Sequence, residues 1–480
     1  MQFDKEYFES EDFRELLDSY ETAATKGTYP FMDADDLIDI ADYYNMIEEH
    51  DKAVNVVEHA LQLYPNATLP NVFMAREALM TGNFELARQY ADTIENKDDP
   101  DYHYLMAEIM IANWDIEGAD EYLRNYGKTV SADEYIDFVK DCANLFIDYQ
   151  VSDKAYEWMS RIKGNDRSTD FNELMARTLL GLGKFKESQI LLNKLLDKDP
   201  YCKEYWNALA TSQLMSEEYH DAITSSEYAL AIDPKDTEAL ANKANGLANL
   251  SNFEEALKYY QRYIEVEPDN AYILFQLGAC LVNLGRNEEA LDVLLKALSL
   301  TPEDAEQLPI LYQELAFCYN ALKQFDKAME MLDKTKNLDC DHVDVMVTRG
   351  HLQLGNGNVK AAQKSFIQAI ADSESDPYVI LRIAISLYDN AYIQACYDMF
   401  IKLFSVIWKN HPEFTEGYSF MALCCYELNK PDEFLKYLKL ACEKDPLEVK
   451  NTLAFLFPEE MEVKDYYRYM KELINSKSVN

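Results

Sequence analysis

Positive charge is what this 480-residue chain has least of: 45 Lys and Arg stand against 86 Asp and Glu, a formal net charge of −41. Nucleic-acid binders gain affinity by releasing counterions with Lys and Arg, so this balance excludes nucleic acid as a partner. Long apolar runs are also missing. No stretch approaches the roughly 20 residues that span a bilayer, which excludes membrane insertion, and the charged start MQFDKEYFESEDF has neither the basic nor the apolar region of a secretory leader. The cytoplasm is therefore the expected compartment. Nine cysteines form no CxxC pair, and their odd number speaks against a complete disulfide framework.

The residues of catalysis are equally sparse. His50, His59, His103, His220, His342, His351 and His411 are the only histidines, and none stands in HExxH or at another ligand spacing. In Asp339-Cys340-Asp341-His342 four adjacent side chains cannot readily converge on one ion. Gly181-Leu182-Gly183 and Gly355-Asn356-Gly357 follow no strand and lead to no Gly-Lys-Ser/Thr, so they read as turns, not phosphate loops. With no GxSxG or kinase-type set either, the chain is expected to be non-catalytic, with no metal and no cofactor.

What is present is a repeat. Ala53, Ala87, Ala119, Ala155, Ser188, Ala222, Ala256, Ala290, Ala328 and Ala362 follow one another at spacings of 32 to 38. Twelve residues ahead of each stands a second small residue, in the series Ala41, Ala75, Ala107, Ala143, Ala176, Ala210, Ala244, Gly278, Ala316 and Gly350, which continues to Ala384 and Ala422. A fixed period of this length means one supersecondary unit copied in tandem, each copy burying its apolar face on its neighbours. Numbered from one, the copy at 237–270 has Leu240, Ala244, Leu247, Ala256, Tyr260, Tyr263 and Pro268 at positions 4, 8, 11, 20, 24, 27 and 32. The copy at 203–236 has Trp206, Leu209, Ala210, Ala222, Ala229 and Pro234 at 4, 7, 8, 20, 27 and 32. Positions 4, 7, 8 and 11 form one amphipathic helix stripe and 20, 24 and 27 a second, so each unit is a helical hairpin. The small residues at 8 and 20 let the two backbones approach, and Pro65, Pro200, Pro234, Pro268, Pro302 and Pro446 at position 32 close the second helix.

This pattern resembles the tetratricopeptide repeat. The resemblance implies an all-α, TPR-type α-solenoid, a right-handed superhelix of about 12 helical hairpins with capping helices. Units are expected near 34, 68, 100, 136, 169, 203, 237, 271, 309, 343, 377 and 415, spanning 34–448, with caps at 1–33 and 449–480. Phe3, Phe8, Phe13, Leu16 and Leu17 mark the first cap, and an elongated second helix is expected through Phe404, Ile407 and Trp408. Cys396 and Phe434 replace the small residue at position 20 of the last two units, which predicts altered packing there. Cys142, Cys280, Cys318, Cys424 and Cys425 fall at positions 7, 10 or 11 and read as buried structural thiols.

The resemblance also implies an interaction scaffold that binds a peptide or helix along positions 2, 5, 6, 9, 12 and 13 of the first helices. Lys140 and Asn144 match the start of the carboxylate clamp of some family adaptors, but Leu174, Glu204 and Ala208 break it. Position 2 is acidic in Asp35, Asp101, Asp137, Asp170, Glu204, Glu238, Asp344 and Glu416, as helix-dipole compensation would have it. That account stops at the first turn. Asp35, Asp39 and Asp42 share one helix face, and Asp137, Asp141 and Asp148 a second, in a stretch, 1–150, that holds 34 acids and 10 bases. A protein or peptide partner of basic character is the expectation. Asn242, Asn245, Asn249, Gln276 and Asn283 place amides on the same stripe of two adjacent units, able to pair with an extended backbone. Structural assembly or a homo-oligomeric spacer, and a regulatory sensor of a small peptide or ligand, are the alternatives.

Overall fold

A computed structural model of the chain describes residues 5–8, 10–25, 32–47, 49–164, 166, 168–410, 414–458 and 460–477, and among these the regular elements are all helical. The chain divides into two compact units, Met1–Asn242 and Lys243–Asn480. Each is a stack of helical hairpins of the TPR-type solenoid. In the first, Lys5–Phe8 and Glu11–Thr25 precede the hairpins Ala34–Met46/His50–Leu63, Thr68–Met80/Phe84–Thr93, Pro100–Ala112/Ile116–Tyr126, Tyr135–Asp148/Ser152–Ser160, Thr169–Gly181/Phe185–Leu196 and Lys203–Met215/Tyr219–Ile232. Phe8 and Phe13 bury against Leu37 and Ala41, with Leu16 and Leu17 packed alongside; Phe3 lies outside the described residues. The helix Thr237–Asn249 contains the division. The second unit continues through Phe253–Val266, Ala271–Asn283/Asn287–Leu300, Leu308–Ala321/Phe325–Lys334, His342–Gly355/Val359–Asp372, Pro377–Asp389/Ile393–Asn410 and Tyr418–Glu427/Pro431–Lys444. It closes with Pro446–Leu453 and Val463–Lys477. Among the described residues no helix is long and apolar enough to cross a membrane.

The small residues do what their volume suggests. Ala41 and Ala53, Ala143 and Ala155, and Ala244 and Ala256 are each 0% exposed where the two helices of a hairpin meet. Ser188 takes the Ala role without leaving a polar atom orphaned, because its hydroxyl donates to the Ala176 carbonyl at 2.9 Å. Gly278 and Gly350 are smaller still because a bulky side chain faces them. A Cβ on Gly350 would lie 2.3 Å from Phe366 Cε1, and one on Gly278 would lie 2.4 Å from Leu294 Cδ2. Gly350→Ala gains about 1 kcal/mol of helix propensity but overpacks the contact by about 1–3 kcal/mol. A net loss of stability is expected, with protection of the His342–Gly355 amides against hydrogen exchange reduced. Unchanged or increased protection would show that the Phe366 ring yields freely.

The turns inside the hairpins from Thr68–Met80/Phe84–Thr93 onward have their own rule. Gly82, Gly183, Gly285 and Gly357 adopt φ near +70°, and Trp114, Gln150, Glu217, Ser251, Lys323, Ala391 and Asn429 occupy the same place at φ from +56° to +64°. The left-handed residue lets the next N–H reach back to the helix it ends, as Asn83 N does to Ala78 O (2.8 Å) and Asp115 N to Met110 O (2.9 Å).

The C-terminal end differs. Cys396 and Phe434 are buried at 0% and 1%, and the Cys396 and Cys424 sulfurs meet at 3.2 Å. Ile393–Asn410 is the longest helix described; the side chains of Ile407 and Trp408 lie outside the described residues. Glu416 lies just before the N-cap Gly417 of the helix Tyr418–Glu427, outside its first turn. Pro446 both follows one helix and opens the next, where Asp445 caps it by accepting from Glu448 N. All nine thiols are free, and Cys142, Cys280, Cys318, Cys424 and Cys425 are buried. Asp341 is an N-cap, its carboxylate accepting from Val343 N at 2.9 Å and Asp344 N at 3.1 Å.

Candidate functional site

In the first unit the helices Pro100–Ala112, Ile116–Tyr126 and Tyr135–Asp148 surround a cavity of about 950 Å³. Its lining joins the carboxylates of Asp98, Asp101, Glu134, Asp137 and Asp141 to the rings of His103, Tyr104, Tyr122, Tyr126 and Phe138. No Lys or Arg lines it. Lys128, on the segment after Ile116–Tyr126, is held by the Asn125 side-chain carbonyl at 2.7 Å.

The aromatic wall is fixed by its own contacts. The His103 ring stacks on Tyr126 at 3.7 Å, its Nδ1 lies 2.7 Å from the Tyr122 hydroxyl, and burial lowers its pKa and favours the neutral ring. Phe138 meets Tyr126 edge-on at 5.6 Å and Trp158 edge-on at 5.6 Å. A Cβ on Gly127 would lie 2.6 Å from Phe138 Cε1, so glycine there lets the chain leave the helix Ile116–Tyr126 close over the ring. Tyr104 donates its hydroxyl to Asp141 Oδ2 at 3.0 Å. Asp141 keeps solvent access, yet the protein around it raises its pKa, with Asp137 adding to the rise while the Tyr104 hydrogen bond opposes it. Asp101 is raised by burial and then by Asp99, against the pull of Arg76. Burial is the first cause of both shifts, so a cation brought against these carboxylates would favour their charged forms.

A second cavity of about 610 Å³ shares Asp137 and Asp141 with the first and adds Lys140, Asn144, Asp148, Asp170, Glu173, Leu174 and Arg177. Its charges are largely spent on one another. Asp148 accepts from Asn144 Nδ2 at 3.0 Å and from Arg177 Nη2 at 3.3 Å. Lys140 pairs with Asp166 at 3.0 Å and Asp137 at 3.5 Å, which occupies the ammonium a carboxylate clamp would need.

The other residues singled out from the sequence sit elsewhere. Asp35 is exposed, Asp39 accepts the Tyr7 hydroxyl at 2.6 Å, and neither they nor Asp42 line these cavities. The Asp42 pKa is pushed up to about 6 by burial and by Asp39, with Arg76 opposing. The amides are engaged within the fold. In the first unit Asn242 is buried and donates to Thr211 Oγ1 at 3.1 Å. In the second, Asn245 accepts the Tyr260 hydroxyl at 2.6 Å, Gln276 donates to the Tyr272 hydroxyl at 2.9 Å, and Asn249 and Asn283 donate to the Asn245 and Ala279 carbonyls, each at 2.9 Å. Asp98, Glu134 and the aromatic wall escape the repeat reading because several stand on second helices and inter-hairpin segments. The available signal was local: Tyr102, Tyr104, Tyr122, Tyr126 and Tyr135 crowd into one acidic stretch.

A tetratricopeptide-repeat family model matches residues 174–237 and 242–305. Protein O-mannosyl-transferase TMTC1 of Mus musculus is 24% identical over 133 residues, 27% of this chain and 14% of that protein. Superkiller protein 3 of Schizosaccharomyces pombe is 24% identical over 179 residues, 35% of this chain and 13% of that protein. The chain therefore spans only about a seventh of these curated relatives. Among solved structures, a chain of the APC/C hetero-tetramer Cut9-Hcn1 is similar with a TM-score of 0.38 at 15% identity, covering 92% of this chain and 93% of that one. A tetratricopeptide repeat protein from Parabacteroides merdae gives a TM-score of 0.41 at 13% identity, covering 55% and 98%.

Proposed function

Because the chain is a tetratricopeptide-repeat protein, matched at 174–237 and 242–305 and built of helical hairpins through both units, we propose that it is a non-catalytic interaction scaffold. Its partner protein presents a Lys- or Arg-bearing segment to the cavity at Asp98–Asp141. The observation that carries this reading is a concave site lined by Asp98, Asp101, Glu134, Asp137 and Asp141, walled by aromatic rings and lined by no Lys or Arg. A cationic side chain there meets both carboxylates and aromatic rings, and cation–π contact adds about 0.5–2 kcal/mol as the site desolvates. Phosphate-bearing ligands are repelled by the same carboxylates. Asp137 and Asp141 are the residues of the sequence reading on which the proposal rests.

The test is a Lys- and Arg-rich synthetic peptide titrated against the parent chain and the variant Asp101→Asn/Asp137→Asn/Asp141→Asn. Removing three carboxylates should weaken binding at least about tenfold at low salt, with unchanged circular dichroism, since about 1.4 kcal/mol is a factor of ten. Parent affinity should fall from low to physiological salt, because rim charges are screened over roughly 8–10 Å. The pH dependence has a definite sign. A bound cation favours ionised Asp101 and Asp141, whose free-protein pKa values are raised, so affinity rises with pH through the region just above the ordinary carboxylate range. Equal binding by parent and triple variant would refute the reading.

A further inference from the structure

The turn between Pro100–Ala112 and Ile116–Tyr126 holds a tryptophan at the place where other hairpins hold glycine or a small or polar residue. Trp114 has φ +64° and is 87% exposed. The left-handed region crowds Cβ against the following carbonyl, and a bulky side chain there is an outlier. Packing within the chain does not offset that strain, because the indole touches so little of it. On the preceding hairpin Met80 is 82% exposed, and the two residues border a cavity of about 520 Å³ whose apolar lining includes Leu79, Phe84, Ile111 and Val151. The polar part of the lining is already neutral: Arg76 Nε donates to Glu108 at 2.9 Å, and the Tyr149 hydroxyl donates to the same carboxylate at 3.3 Å. Beyond the lining, Glu85 follows Phe84 and Asp115 follows Trp114, both exposed.

We propose that this cavity seats an aromatic or long aliphatic anchor of a basic segment, the same segment whose cation enters the acidic cavity, so that the inference rests on the proposed function. Exposed Trp and adaptable Met are residues that carry affinity once a partner covers them. Charge complementarity selects the flanks. A second copy of the chain would bring the same 34 acids and 10 bases of residues 1–150 against themselves, whereas Lys and Arg beside the anchor meet the exposed Glu85, and Asp115 adds its negative charge while capping Ile116–Tyr126 through Gly118 N at 3.1 Å. The two cavities lie toward opposite ends of the helix Pro100–Ala112: Asp101 and Tyr104 line one, Ile111 and Ala112 the other. At about 1.5 Å per residue, Asp101 and Ile111 are roughly 15 Å apart along the axis. An extended peptide covers that in about four or five residues. The ligand is thus a segment with a Lys or Arg about five positions from an apolar anchor.

Two synthetic peptides test this, each with a Lys-Arg pair and, five positions away, either Phe or Ser. They are titrated by fluorescence anisotropy against the full-length parent chain, Trp114→Gly and the triple Asn variant. The Phe peptide should bind the parent at least about fivefold tighter than the Ser peptide. In W114G that gain should vanish, leaving both peptides at the Ser-peptide level, while thermal unfolding stays put or moves upward because glycine relieves the left-handed strain. Equal affinity of the two peptides for the parent, or a gain retained in W114G, would overturn the anchor site while leaving salt-sensitive binding of the Ser peptide as support for the acidic cavity. Loss of Ser-peptide binding in the triple variant tests that cavity separately, and failure of both peptides to bind the parent overturns both. Concentration-dependent self-association of the parent in sedimentation, abolished by W114G, would assign the patch to a second copy and overturn the basic-segment occupant.

Discussion

Replacing Asp120 by Ala is expected to destabilise the hairpin Tyr135–Asp148/Ser152–Ser160 by about 3 kcal/mol, the low end of the cost of breaking a buried ionic cluster. Asp120 lies on Ile116–Tyr126 with its side chain only 4% exposed. Its Oδ1 accepts Trp158 Nε1–H at 3.0 Å and Arg124 Nε–H at 3.1 Å, and its Oδ2 lies 2.6 Å from Arg124 and 3.4 Å from Lys154. Trp158 is fully buried, so losing this acceptor strands an indole N–H in the core. The two cations fare better. Arg124 keeps Glu157 at 3.0 Å and Lys154 keeps Glu117 at 2.8 Å, which is why the upper end of the range is not reached. Asp120→Asn retains an acceptor for Trp158 and should cost clearly less. Glu117→Ala removes a carboxylate that is 82% exposed and should change stability by under about 1 kcal/mol. A chain of stacked repeats need not unfold in one step, so the measurement is native-state hydrogen exchange of the Ser152–Ser160 amides. A loss below about 1 kcal/mol for D120A would mean that the indole finds another acceptor.

The hairpins were legible because their cause is local and periodic. Ala143 and Ala155 reveal a helix contact because both are fully buried, and small residues recur at these places until Cys396 and Phe434 take the second of them in the last two hairpins. Gly350 follows the same logic once Phe366 is paired with it, although sequence alone does not say that the ring points at the glycine. The acidic cavity was only half legible. Asp137 and Asp141 stand on a first-helix stripe and could be found by period, whereas Tyr122 and Tyr126 reach the cavity from a second helix and Glu134 from the segment between hairpins. The amides fail for a different reason. Spacing places Asn242 and Asn245 on one stripe, but it cannot show that Thr211 and the Tyr260 hydroxyl already engage them. Trp114 is conspicuous only when its backbone is known, because exposure and a left-handed φ have no signature in composition.

Phe404→Ala is expected to cost about 3–5 kcal/mol, the range for truncating a buried aromatic ring, and to loosen the C-terminal end of the chain as one block. Phe404 is 1% exposed on the helix Ile393–Asn410. Its ring stacks on Tyr418 at 4.6 Å with the planes 5° apart, and Phe400 and Tyr437 lie at 5.7 and 5.8 Å. Phe434, fully buried at the place where earlier hairpins carry alanine, belongs to the same core, which continues to Tyr466 and Met470 of the last helix. Removing the ring that Tyr418 and Tyr437 both pack against leaves a cavity that three helices would have to close. Phe404→Leu fills most of that volume and should recover more than half of the loss. Hydrogen exchange of the Pro431–Lys444 and Val463–Lys477 amides should accelerate together in F404A while Ala34–Met46 keeps its protection. If only the Ile393–Asn410 amides respond, the aromatic core is not a cooperative unit, and the C-terminal helices hold their place by contacts that do not run through Phe404.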